Sequence, residues 1–131
     1  MTLHRFRLAA PLLLVGLLIA ACGGPSPTGP NQVVLDTQPP GSLCMDALTM
    51  GVLAVDSESG VGLETPGGSV GLVVWPTGWT ARNDAGSVAI IDANGAVVAH
   101  VGDTVSMGGG GGSEDAWYVC PPVHVLAPGA T

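Results

Sequence analysis

Gly67-Gly68-Ser69-Val70-Gly71 has the G-x-S-x-G spacing of a nucleophile elbow, the strained turn that lifts a serine hydroxyl between a strand and a helix. Here Pro66 and two glycines precede Ser69 and a Val-rich run follows it, so the motif reads as a hairpin turn. Gly108 to Gly112, followed by Ser113-Glu114-Asp115, has the glycines of a phosphate cradle. The chain has no Lys, however, and the two carboxylates would repel the anion. That glycine run is expected to be a flexible loop or a backbone passing close to another strand. Glu114, Asp115 and Asp103 carry oxygen ligands for a hard cation, but their spacing fits no Ca²⁺ loop, which must gather six or more oxygens. His100 and His124, with Met107, Met45 or Met50, carry the imidazole and thioether groups that copper prefers, too sparsely for a copper cluster. Met is more often core filler and a strand His more often a surface residue. Neither a Ser-His-Asp set, a carboxylate pair nor a metal set reaches catalytic spacing, so no enzyme, metal or cofactor is expected. Trp75 and Trp79 bracket Pro76-Thr77-Gly78, and this loop can present a ring to a sugar or a protein. Trp79 and Trp75 are the candidate contacts, Trp79 ahead of Trp75, which is read first as ending a strand and closing one end of the barrel.

The elements that must position these groups are short. Residues 50–56 (MGVLAVD), 61–65, 70–75, 87–92, 96–101, 104–107 and 117–120 are Val- and Ile-rich, and Gly, Pro, Asn, Asp or Ser bounds each. No convincing helical period follows residue 21. Asn94-Gly95 predicts a type I′ hairpin, in which Ile91 faces Val98, Ile90 faces Ala99 and Ala89 faces His100. Val88, Ile90, Val97, Ala99 and Val101 then share the core face. Strands at this spacing predict an all-β fold: a small closed or partly open barrel, OB- or SH3-like in size, of about five to seven short antiparallel strands.

The chain has 131 residues, and they divide unevenly. Residues 1–7 carry His4, Arg5 and Arg7 without an acid, and residues 8–19 are apolar apart from Pro11 and Gly16, as in a secretion signal. Ile19-Ala20-Ala21-Cys22 resembles the lipobox of bacterial lipoproteins. The resemblance implies cleavage after residue 21 and diacylglycerol on the Cys22 sulfur, each buried acyl CH₂ adding about 0.8 kcal/mol of membrane affinity. The expected address is exported, anchored to the outer face of the cell membrane or to the outer membrane, with the lipid bilayer a partner through Cys22. Gly23 leaves the leaflet open. Residues 22–42 include a Pro/Gly-rich run read as a tether, residues 43–126 the β domain and 127–131 a tail. Beyond residue 21, Arg82 is the one Lys or Arg against ten acidic residues, which excludes nucleic acid and anionic lipid surfaces as partners. Cys44 and Cys120 are the other cysteines, and export makes them an expected disulfide.

Leu72-Val73-Val74-Trp75-Pro76-Thr77-Gly78, then residues 88–95 (VAIIDANG), then residues 97–105 (VVAHVGDTV) and the glycines from Gly108 resemble a group of small bacterial exported proteins and lipoproteins. That group shares a W-P-x-G element, a D-x-x-G-x-V-V-A hairpin and a V-G-D-x-V-x-x-G-G ending. The resemblance spans roughly residues 50–110 and implies a common fold, and the group brings no catalytic residues with it. The expected function is an envelope lipoprotein whose acidic β domain binds a protein or a cell-wall glycan. The alternatives are a structural envelope lipoprotein without a ligand and a metal-binding protein.

Overall fold

The computed structural model describes residues 31–112 and 115–130, and among these it is all-β, with ten strands and no α-helix. They are β1 (Gln32–Val33), β2 (Ala47–Asp56), β3 (Gly60–Glu64), β4 (Val70–Gly71), β5 (Val73–Val74), β6 (Thr80–Asp84), β7 (Ser87–Ile91), β8 (Val97–His100), β9 (Thr104–Gly111) and β10 (Trp117–Ala127). A six-stranded sheet runs β4-β3-β2-β9-β10-β5, and a four-stranded sheet runs β1-β6-β7-β8. Its outermost strands β4 and β5 are separated in sequence by Leu72 alone, so one extended segment pairs with β3 at its start and with β10 at its end. The six-stranded sheet thereby curls into a nearly closed barrel. Among the named strands the expected all-antiparallel pairing is corrected at one place, where β5 and β10 run parallel because the segment that bridges two edges of the curled sheet meets the second in the direction of its strand. Thr37–Trp75 and Asp46–Gly109 are isolated parallel bridges.

Part of the segment expected to be a tether lies within the fold. β1 pairs with β6, Thr37 bridges Trp75, and Gln38 is buried with its Nε2 donating to the carbonyls of Val74 at 3.2 Å and Val119 at 2.6 Å. Among the described residues the fold thus includes Gln32-Val33 and Thr37-Gln38, ahead of the expected boundary near Leu43. At the other end β10 runs on to Ala127, and the Gly129 N–H donates to Asp103, so the expected tail is docked too. β6 (TARND) was not expected as a strand, because only Ala81 in it is buried.

The core lies between the two sheets. Leu53, Val61, Leu63, Val105, Met107 and Val119 come from the barrel sheet and Ala81, Val88, Ile90 and Ala99 from the other, with Trp75 and Trp79 between. Trp75 is fully buried, its Nε1 donates to the Val61 carbonyl at 2.8 Å, and its ring stacks on Trp79 at 5.9 Å between centroids. Burying a ring of that size contributes roughly 5 kcal/mol at about 25 cal/mol per Å².

The β7–β8 hairpin forms, with Ile90 opposite Ala99 and Ala89 opposite His100, but its turn differs from the type I′ expectation. Gly95 alone has positive φ, at 86°, and the Asp92 carboxylate accepts the N–H groups of Asn94 and Ala96, both at 2.9 Å. This side-chain cap favours a longer loop ending in a left-handed glycine, and the ladder slips so that Ile91 faces Val97. The slip turns Val97 to solvent and brings Val98 onto the core.

At the β2–β3 turn the Asp56 carboxylate accepts the Ser59 N–H at 2.7 Å, the Glu58 N–H at 2.9 Å and the Ser59 hydroxyl at 3.0 Å. Led by the Ser59 backbone bond, these contacts hold its carboxyl below the usual carboxylate value despite an opposing push from burial. Cys44 and Cys120 form the expected disulfide, with Cα atoms 5.6 Å apart.

Candidate functional site

The outer face of β2 is built by what fills the space beneath it. Thr49 lies opposite Met107 and Gly51 opposite Val105, and both partners are fully buried, so Thr49, Gly51 and Leu53 point inward. A Cβ at Gly51 would stand 2.6 Å from the Glu64 carbonyl oxygen and 2.7 Å from Leu63 Cγ: β3 takes the volume that a side chain at 51 would need. The alternation then sends Leu48, Met50 and Val52 outward, leaving Leu48 69% and Met50 61% exposed. Leu126 joins them, 56% exposed, beside the register slip between Val125 and Ala127 in β10.

Met50, Val52 and Leu126 floor a shallow groove of about 660 Å³, with Leu48 outside it. Met50, Val52 and Leu126 supply its apolar surface, Thr104 its base, and Glu64 with the Thr65-Pro66 corner its wall. The turn behind that wall is the G-x-S-x-G segment, closed by Thr65 N–H to the Ser69 carbonyl at 3.0 Å and Gly68 N–H to the Thr65 carbonyl at 2.9 Å. Ser69 is an exposed turn residue, as the sequence reading expected, and no helix follows it.

A second cleft, of about 840 Å³, gathers Ser87, His100 and Asp103 with Asn83 and the docked segment at Gly129. Asp103 is buried and already engaged: its Oδ2 accepts the His100 N–H at 2.8 Å and its Oδ1 the Gly129 N–H at 2.7 Å. His100 Nδ1 stands 3.9 Å from Asp103 Oδ2, beyond hydrogen-bond reach. The Ser87 hydroxyl donates to the Val101 carbonyl at 3.2 Å rather than to a base. The three groups share a cleft without the nucleophile–base–acid bonding that activates a serine. What the arrangement does is clamp residues 128–130 onto the β8–β9 turn.

The other sequence candidates separate. Trp75 is fully buried and Trp79 is 8% exposed, so the expected ligand contact at either ring is corrected: both faces are taken up by the core and by each other. For copper, Met107 is in the core, His100 lies in the second cleft, and only Met50 and His124 share a rung, on either side of Ser106. Asp103 is committed to backbone N–H groups, Asp115 is exposed and Glu114 lies outside the described residues. Among the described residues no three His, Cys, Asp or Glu side chains converge as a metal site. The glycine run is ordered strand: Gly108 to Gly111 pair with β10, and a Cβ at Gly109 would strike the Tyr118 carbonyl and one at Gly110 the Met45 side chain. Cys22 lies outside the described residues.

Of Leu48, Met50, Glu64 and Leu126, the sequence singled out only Met50, as a copper ligand rather than a surface residue. The signal for the first two is present, with large apolar residues at 48, 50 and 52 and small or polar ones at 47, 49 and 51. Hydrophobicity alone assigns the large set to the interior, and the close packing of Glu64 and Leu63 against Gly51, with the pairing to buried Val105 and Met107, reverses it. The chain matches no protein-family model, no curated protein and no solved structure.

Proposed function

We propose that this chain is a lipid-anchored protein of the bacterial envelope, whose acidic β domain is a binding module for a protein or a cell-wall component. The observation that carries the reading is the outward apolar row of Leu48, Met50 and Leu126 beside a groove, on a domain whose core is otherwise closed. Single exposed apolar residues are ordinary; a contiguous set on one sheet face is what an interaction surface needs. The Ile19-Ala20-Ala21-Cys22 sequence supports the address, and the Cys44–Cys120 disulfide suits an oxidising compartment. The binding surface is thus assigned to β2, β9 and β10 in place of the Trp79 loop.

Photo-crosslinking in cells tests this, with the reactive group placed in the full-length chain at position 50 and, as a control, at position 94 in the hairpin turn. A reproducible neighbour attached from 50, absent from 94 and lost with Leu48→Glu, is the expected result. The same neighbours from both positions, or none from 50, would overturn the module. Cys22→Ser is expected to release the chain from the membrane fraction or leave its leader uncut; processed, membrane-bound protein would contradict the anchor.

A further inference from the structure

We infer that the groove beside β2 seats a basic side chain, Lys or Arg, presented by an apolar segment of a partner protein. Its alkyl stem lies on Met50, Val52 and Leu126 and its charged head on Glu64. This rests on the binding-module reading above and specifies the partner's chemistry.

Long basic side chains combine an apolar stem with a charged tip, and they bury the first while keeping the second at a polar rim. The groove has the matching order: an apolar floor from Met50 to Leu126 and one ionisable wall residue, Glu64, set opposite Val52 across the β2–β3 ladder. Glu64 is exposed and forms no salt bridge among the described residues, whose one Lys or Arg, Arg82, is on β6 in the other sheet. A cation for Glu64 must therefore come from outside that set. The wider charge acts in the same direction, because ten acidic residues in the chain draw a basic segment in and repel an acidic peptide or an anionic lipid headgroup. The wall is fixed rather than adaptable: Thr65 is tied to Ser69 by its backbone N–H at 3.0 Å and by its hydroxyl at 3.2 Å. A pre-set wall lowers the ordering cost of seating one side chain.

Methyl NMR on the full-length, lipid-anchored protein in nanodiscs of neutral lipid tests the inference. Methionine methyls labelled with ¹³C supply the reporters: Met50 in the groove, Met107 in the core and Met45 beside Gly110. The probes are three capped tripeptides, Leu-Lys-Leu, Leu-Glu-Leu and Ser-Lys-Ser. Leu-Lys-Leu is expected to move the Met50 methyl saturably while Met107 and Met45 stay put. Leu-Glu-Leu is expected to leave Met50 still, and Ser-Lys-Ser to move it far less. Glu64→Gln, an exposed change that keeps the fold, is expected to weaken Leu-Lys-Leu binding about threefold, the scale of a rim charge pair, and Glu64→Lys to abolish it. Equal responses to the Lys and Glu peptides, or no change with Glu64→Gln, would overturn the basic-side-chain inference and leave the apolar face as the module's surface. Silence at Met50 with every peptide while crosslinks form from position 50 has the same effect. Silence together with no crosslinks removes the module as well.

Discussion

Met50 and Met107 carry the same side chain on neighbouring strands, and the register gives them opposite fates. Met50 is 61% exposed on the outer face, whereas Met107 is fully buried between the sheets. Truncating Met107 to Ala removes buried methylenes and sulfur and leaves a cavity bounded by Thr49 and Val123 across its two ladders. Such truncations cost about 2–5 kcal/mol, and a fully buried site with ordered neighbours on both sides belongs in the upper half of that range. Met50→Ala removes surface that is largely in water already, and the expected cost is under about 0.5 kcal/mol. For a domain of roughly 100 residues each kcal/mol moves the melting temperature by about 4–8 °C. Met107→Ala is thus expected to melt at least about 14 °C below the parent and Met50→Ala within a few degrees of it. Urea unfolding followed by the fluorescence of the buried Trp75 and Trp79 gives both free energies with unchanged m-values. Equal losses, or a larger loss at position 50, would show that β2 is inverted by one residue, and the outer groove would vanish with it.

Three further outcomes follow from the fold. Replacing both Cys44 and Cys120 with Ala frees a loop with a sequence separation of 76, and the expected loss is about 4 kcal/mol; a melting temperature unchanged under reducing conditions would contradict it. The lowered Asp56 carboxyl contributes stability that is fully present above the unfolded-state value of about 3.9 and is lost as pH falls through its lower native value. The gap in urea midpoint between the parent and Asp56→Ala should therefore narrow only in that acidic window, and a gap constant from pH 7 to pH 2 would rule out the capping role. Gly109→Ala, where φ is 141° and a Cβ would strike the Tyr118 carbonyl, should lower the yield of folded protein more than Gly67→Ala, which meets open space; equal yields would argue against close strand contact there.

Where the sequence spoke through hydrophobic alternation it was legible. β3, β7 and β8 lie within a residue or two of their expected spans, and Val88, Ile90 and Ala99 are in the core. The signals were weaker where the fold depends on partners distant in the chain. β1 and β6 carry few buried side chains: β1 is held by its pairing with β6, and β6 by its full-length pairing with β7, which the side chains of Gln32-Val33 and TARND do not announce. The Asn94-Gly95 pair pointed correctly to a turn, but the Asp92 carboxylate two residues earlier decided its type. The candidate surface was hidden for a related reason. Leu48 and Met50 look like core residues until Glu64 and Leu63, on a different strand, are found to occupy the space inside Gly51.

The bridge between β4 and β5 bears on how this domain behaves in a crowd. A sheet normally ends in two open ladders of N–H and C=O groups, and those invite pairing with a neighbouring chain. Here each terminal strand is two residues long, and the two are consecutive pieces of a single segment, so an incoming strand finds little ladder to extend. Copies of the domain packed side by side would meet at this sheet with blunt edges. Contacts at that sheet would then be left to side chains, among them the apolar row on β2.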